Sequence, residues 1–422
     1  MKRLTGILPA TVTSQATTAV MRPARWVVAT FATLLLALVL TLVPAGRALA
    51  VADASSSPYY VQIQTLAQLG VITGFEDGTF RPNAPVTRQQ FAKMVVLTMR
   101  VAVSEEDVCA FADVLPTGPE TLFPDNYVAA AARAGITTGT KAATGVRAAL
   151  FSPDANIPLA QLVTMVTRAS GRALEDPPSS YRGTWGAFDK VHAPVARVAQ
   201  YNGLLRELNL AAMDPWRNAT RAEASAILFN LLGTDGESLA GRFLGTTADL
   251  VRYFRSKVPS GEKFSVPVEE LAGLYVKYAR RFGLRADVAW VQMCHETGFG
   301  WALAQGDVKP EQNNFAGIGA TGGVSGNSFA TAELGVIAQI AHLAWYAYPD
   351  HMDDPYCCMV SVPDPSVVIT QPGDPRHFVG NALPHCGAAR TLNDLSAKWA
   401  VGTQYGARLT EMLAQVPVSL GY

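Results

Sequence analysis

Residues 286–319 read ADVAWVQMCHETGFGWALAQGDVKPEQNNFAGIG. From Ala286 to Thr297 there is no Gly or Pro, and Val288, Ala289, Val291, Gln292 and Met293 follow one another, so this is a mostly buried helix that stops at Gly298. Glu296 then stands in the last turn. There its carboxylate faces the negative end of the helix dipole, and partial burial beside Trp290, Phe299 or Trp301 further disfavours the charged form. Both effects raise its pKa. A carboxylic acid that keeps its proton near neutrality is what protonation of a glycosidic leaving oxygen requires. Asn313, Asn314 and the glycines after them suit a loop in contact with sugar. Taken alone, a glutamate near a helix end is more often a solvated surface residue.

The wider pattern changes that weighting. ETGFG is followed by QNNFAGIGATGG (312–323), a long apolar helix ending HLAWYAY (342–348), DPR (374–376) and LNDLSAKWAVGTQYGARLTEML (392–413). In this order the segments resemble the glucosaminidase domain of bacterial endo-β-N-acetylglucosaminidases, over about residues 240–418. The resemblance implies a lysozyme-like, mostly helical α+β fold. It also implies cleavage of peptidoglycan glycan strands at the N-acetylglucosaminyl-β-1,4-N-acetylmuramyl bond, with Glu296 as general acid and with Asn314, Phe315, Gly317, Tyr346, Trp399 and Tyr405 at the substrate. Two departures stand out. Relatives often carry an acid on a hairpin lobe after the Asn-Asn loop, whereas here Gly319 runs through ATGGVSGNSF almost directly into the next helix, so the lobe reads as missing. Where relatives have Tyr-Ala-Thr-Asp, WAVG puts Trp399 in the tyrosine's place, while Tyr405 is retained.

Other chemistries fit poorly. HETGF lacks the second His of a zinc-protease helix, and adjacent helical residues point about 100° apart, so Cys294 and His295 form neither a metal site nor a dyad; Cys294 reads as buried packing. No metal or cofactor is indicated. A second carboxylate stays unassigned among Glu311, Glu333, Asp350, Asp353 and Asp374. Helix Val268–Phe282 is a core helix, and Arg280, Arg281 and Arg285 beside it read as a solvated basic cluster. In helix Thr331–Ala347, His342 reads as a core or edge residue.

The first half of the chain repeats. Leu69-Gly70-Val71-Ile72-Thr73-Gly74 recurs as Ala134-Gly135-Ile136-Thr137-Thr138-Gly139 and, more weakly, as Asn202-Gly203-Leu204-Leu205. Each copy leads through a turn into an apolar helix: PNAPVTRQQFAKMVVLTM, SPDANIPLAQLVTMV and DPWRNATRAEASAILFNLL. Such spacing implies stacked or pseudo-symmetric units that bury their apolar faces on one another. The copies, at about 56–100, 109–170 and 181–233, resemble S-layer homology repeats. That resemblance implies a three-pronged module binding a secondary cell-wall polysaccharide, with an Arg after the capping Thr facing the anionic sugar. Thr87-Arg88 and Thr220-Arg221 match, whereas Pro158-Leu159 replaces the pair in the second copy, leaving two sites at most. Residues 233–238 read as a short turn-like linker.

Trp26 to Val43 is an uncharged apolar run behind Arg22 and Arg25, and Ala48-Leu49-Ala50 follows. This fits a secretory signal over residues 1–50, with Met21 an alternative start and an uncleaved membrane anchor the other reading. Lys plus Arg and Asp plus Glu are equal at 34 each, which excludes the basic excess of a nucleic-acid binder. Cys109, Cys294, Cys357, Cys358 and Cys386 are compatible with an oxidising exterior, where Cys386 would pair with Cys357 or Cys358. The expectation is a mainly α, secreted peptidoglycan hydrolase held at the cell surface. A non-catalytic wall-binding or S-layer structural protein is the alternative.

Overall fold

Three extended residues, Val86, Ile157 and Ala219, organise the first half of the molecule. Val86 N donates to Ala219 O (3.1 Å), Ala219 N to Ile157 O (3.0 Å) and Ile157 N to Val86 O (3.0 Å), closing a ring of backbone hydrogen bonds. All three side chains are fully buried at its centre. One residue further on, each copy enters a helix: Thr87 and Thr220 cap theirs with a complete capping box, using Gln90 and Glu223 in return, whereas Pro158 makes no side-chain cap. Pseudo-threefold symmetry therefore lives in the ring, which selects the pseudo-symmetric arrangement over a stack.

The computed structural model describes residues 52–118, 120–144, 148–185, 187–300, 306–321, 323–348, 385, 387–400 and 402–420. Among them are eleven α-helices: α1 Tyr60–Gln68, α2 Arg88–Thr98, α3 Asp125–Arg133, α4 Leu159–Arg168, α5 His192–Tyr201, α6 Arg221–Leu232, α7 Thr247–Lys257, α8 Val268–Arg281, α9 Ala286–Glu296, α10 Ala332–Ala347 and α11 Tyr405–Leu413. The chain is thus mainly α. None of these helices is long and apolar enough to cross a membrane. The apolar run at 26–43, the three cysteines Cys357, Cys358 and Cys386, and the acids Asp350, Asp353 and Asp374 lie outside the described residues.

The helix pairs of the repeat region do not follow the sequence copies. Helix α2 packs on α3, α4 on α5, and α6 closes the circle on α1, so each prong joins the second helix of one copy to the first helix of the next. A single repeat would leave both of its helices without their main partner.

In the second half, α9 runs through the middle, flanked by α7, α8, α10 and α11. Residues Ala286 to Cys294 are buried without exception, which explains its apolar run. Trp290 is wedged edge-on against Tyr275 (5.4 Å) and Phe254 (6.1 Å). Where the sequence reads as lacking a lobe, a short hairpin stands: β1 Ala320–Thr321 pairs with β2 Val324–Ser325 in the register Ala320↔Ser325. It carries no carboxylate.

The described residues form one compact unit. The segment after α6 is pinned from both sides: Arg100 pairs with Asp235 (2.6 Å), Gly171 N donates to Thr234 Oγ1 (3.0 Å), Arg285 N to Leu239 O (2.9 Å) and Gly241 N to Gly283 O (3.0 Å). Of the basic cluster expected at the surface, Arg280 is exposed and Arg281 partly exposed, whereas Arg285 belongs to this junction. Arg285 is buried, bound to Asp287 (2.6 Å) and to the Asp235 carbonyl, while Arg280 meets Glu207 of the third repeat. Its burial with a paired acid replaces the expected solvation.

Candidate active site

Helix α9 ends abruptly because Gly298, Phe299 and Gly300 all adopt positive φ (53°, 55° and 84°). Thr297 tightens the corner, its hydroxyl donating to Met293 O (2.7 Å) and accepting from Gly300 N (3.1 Å). The turn leaves Glu296 half-buried at the helix end. Its Oε1 accepts the Tyr405 hydroxyl at 2.5 Å and the Trp399 indole N–H at 3.0 Å. Burial pushes the Glu296 carboxyl above the usual range, and these two donors oppose the rise. Burial is thus the cause read from the sequence, but the aromatic neighbours differ. Trp290 is fully buried in the core, Phe299 turns to Phe254 (5.7 Å), and Trp301 lies outside the described residues.

Trp399 belongs to an aromatic wall. Its ring meets His342 edge-on at 4.7 Å and Tyr346 at 5.5 Å, and Tyr346 stacks on His385 at 5.7 Å. The Tyr346 hydroxyl donates to Lys398 O (3.3 Å), which fixes the loop that carries Trp399. Burial depresses His342 to about 4, so it is a neutral ring against the tryptophan. The sequence reading of His342 as a core residue missed this contact, because the Trp lies 57 residues away in the chain. Behind Tyr405, Gln292 Nε2 donates to the phenol oxygen (3.1 Å).

The Asn-Asn loop is placed differently from the expectation of direct side-chain contact with sugar. Asn314 is buried, its amide donating to Ile318 O (2.9 Å) and Asn327 O (3.1 Å) and accepting from Ile318 N (2.9 Å). Phe315 is buried against Phe264 (5.9 Å). These two side chains fold the loop, whereas Gly317, at φ 61°, has open space beside its α-carbon. The loop backbone rests on α10 at Gly335, where any Cβ would lie 1.8 Å from Asn313 O.

Of the other acids, Glu333 is bound by Lys277 (2.8 Å) and the Tyr278 hydroxyl, which hold its carboxyl below the usual range. Cys294 is fully buried and its thiol is pushed well up, which fits packing and not a nucleophile. Among the described residues no group of His, Cys, Asp or Glu forms a metal site.

In the repeat region, Arg88 and Arg221 are buried, not presented to solvent as an exposed fork. Arg88 Nε donates to Phe151 O (2.7 Å) and Nη1 to Gln161 Oε1 (2.6 Å); Arg221 Nε donates to Phe80 O (2.8 Å) and Nη2 to Thr73 O (2.9 Å). Each guanidinium thereby staples its own repeat to the next around the ring. Arg221 nevertheless lines a cavity of about 290 Å³ with Thr73, Gly74, Phe75, Gln90 and Lys93. Ring symmetry puts Thr164 and Ala226 where Lys93 stands, and Arg88 and Leu159 where Arg221 stands. At these two positions the three copies therefore carry two cations, one and none.

Two family descriptions match the chain: "S-layer homology domain" at residues 52–92 and "Mannosyl-glycoprotein endo-beta-N-acetylglucosaminidase" at residues 272–416. An uncharacterized protein of Borreliella burgdorferi is 34% identical over 170 residues, covering 40% of this chain and 71% of that protein. The second match spans Glu296, the Asn-Asn loop, Trp399 and Tyr405. The chain therefore carries a glucosaminidase domain, of a family of glycoside hydrolases, and ahead of it an S-layer homology domain that associates it with the cell wall or surface.

Proposed function

We propose that the protein is a secreted hydrolase, held on the cell wall, that cleaves peptidoglycan glycan strands at the N-acetylglucosaminyl-β-1,4-N-acetylmuramyl bond with Glu296 as general acid. The observation that carries this reading is the asymmetric environment of one carboxyl group. Both donors, Tyr405 and Trp399, reach Oε1. No bond to Oε2 exists among the described residues, so the proton of the neutral acid sits there, available to a glycosidic oxygen. As the C1–O bond breaks, that proton moves to the departing sugar and the carboxylate left behind is met on Oε1 by two donors already in place. Water completes the hydrolysis at C1. Trp399, partly exposed, supplies flat apolar surface for a sugar ring, with the buried Tyr346 behind it, and the open backbone at Gly317 admits close approach. Anchoring is assigned to the groove of Arg221 and Lys93, whose two cations suit an anionic wall polysaccharide.

The test is mass spectrometry of soluble products after the mature protein and Glu296→Gln are incubated with purified peptidoglycan. Muropeptides with a reducing N-acetylglucosamine end, formed only by the unsubstituted protein, are expected. Tight wall binding with no products from either protein would overturn the reading. It would favour the wall-binding alternative, to which the hairpin without a carboxylate lends its one specific support.

A further inference from the structure

We infer that Gln292 and Gln339 are positioning residues whose buried amides set the direction of a hydrogen-bond chain, compelling the Tyr405 hydroxyl to donate to Glu296 Oε1 and so reserving Oε2 for the transferred proton. The inference rests on Glu296 being the general acid. Its geometry begins at a backbone carbonyl, which can only accept. Gln339, fully buried in α10, donates one Nε2 hydrogen to Ala289 O (3.1 Å) and the other to Gln292 Oε1 (3.0 Å). Its Oε1 is thereby left to accept the hydroxyl of Tyr275. With Oε1 of Gln292 taken, that amide presents Nε2 to the Tyr405 oxygen (3.1 Å). A phenol that receives a hydrogen bond there has one proton left to give, and it lies on Glu296 Oε1 at 2.5 Å.

Each link has one permitted orientation, so the fixed carbonyl at Ala289 decides the proton position at Tyr405, across two helices and the start of a third. Without the chain, Tyr405 could turn and accept a proton from Glu296, which would sequester the acid's hydrogen on the wrong oxygen. Two glutamine amides with no exposure at all are otherwise hard to account for, because an apolar side chain of similar length would fill either site without a desolvation cost. The opposition of Tyr405 and Trp399 to the raised carboxyl gives the chain a titration signature. Removing a donor from Oε1 makes Glu296 a weaker acid, moving the alkaline limb of activity to higher pH while lowering the plateau.

The experiment measures initial rates of peptidoglycan solubilisation across pH and substrate concentration for the full chain and for Gln292→Met, Gln339→Met, Gln292→Glu, Tyr275→Phe and Glu296→Gln. Both Met variants should lose about tenfold in maximal rate with an unchanged half-saturating concentration, and their alkaline limb should move up. Tyr275→Phe should stay near the unsubstituted protein, since Ala289 still orients Gln339. Gln292→Glu provides the rescue and guards against a misfolded Met variant. When protonated it donates to Tyr405 as the amide does, and when ionised it draws the phenol proton away from Glu296. Near-full activity while that carboxyl is protonated, falling as it ionises, is therefore expected. Folded Met variants with lowered plateaus and unmoved limbs, or a Gln292→Glu profile parallel to the unsubstituted one, would overturn the inference. Undiminished activity of Glu296→Gln would instead overturn the general-acid assignment on which it rests.

Discussion

Glu296 carries a cost at neutral pH that the proposed general-acid role would require. Its pKa is raised in the folded state, so the folded protein binds the proton more tightly than the unfolded chain. Stability from this group is fully present below the ordinary glutamate pKa and declines as pH rises through the folded value. Glu296→Gln, which keeps an acceptor for Tyr405 and Trp399, should raise the melting temperature at pH 7 while changing little at pH 4. Thermal melts at the two pH values check this, and an equal effect at both would contradict it. How far the residue could be read from sequence follows from what surrounds it. A lone acid closing an apolar helix before Gly-Phe-Gly announces itself, and Trp399 and Tyr405 were found through family likeness. Gln292 and Gln339 gave no signal: a glutamine in an apolar helix looks alike whether it reaches solvent or a partner 47 residues away. Arg88 and Arg221 misled for a related reason. An Arg after a cap faces outward on an isolated helix, but here a neighbouring repeat supplies carbonyls to cover it.

At the scale of elements, caps and close approaches set the predictions. Thr220→Ala removes the hydroxyl that accepts from Glu223 N and should cost about 1 kcal/mol in chemical unfolding. Helix propensity alone says that Gly335→Ala in α10 should stabilise by about 1 kcal/mol. Its Cβ would meet a backbone oxygen, however, and overpacking of this kind costs about 1–3 kcal/mol, so net destabilisation and lower activity through the displaced Asn-Asn loop are expected. The groove comparison gives a binding test. Lys93→Gln should weaken pull-down by purified walls, while Thr164→Val should not, because Lys93 joins Arg221 at the cavity whereas Thr164 carries no charge. Helix existence and limits were largely legible, since α8, α9 and α10 lie within a residue of their apolar patterns at each end. The exchange of helices between repeats was not. Sequence copies mark where a motif recurs, not which neighbour buries it, and that choice is made by the closed ring at Val86, Ile157 and Ala219.

For the whole molecule, the decisive feature is the junction. Arg285 and Asp287 are both buried, so Arg285→Met strands a carboxylate and should cost about 3–5 kcal/mol, measured as loss of stability to denaturant. Because the connector after α6 contributes backbone bonds to both sides, unfolding should follow one transition, and limited proteolysis should not release an intact glucosaminidase domain by cutting at 233–241. A stable fragment beginning there would refute this. The sequence alone suggested a turn-like linker, since Gly-Thr-Asp-Gly has the composition of one. What it could not show is that Gly283, at φ 67°, brings the second half so close to the first that a Cβ there would lie 1.9 Å from Thr65 Oγ1. A blade mounted this way has no leash. Under the proposed function, Glu296 of a docked protein would reach only the strands within its own fixed radius, so where the protein cuts would be decided by where the wall offers it a berth.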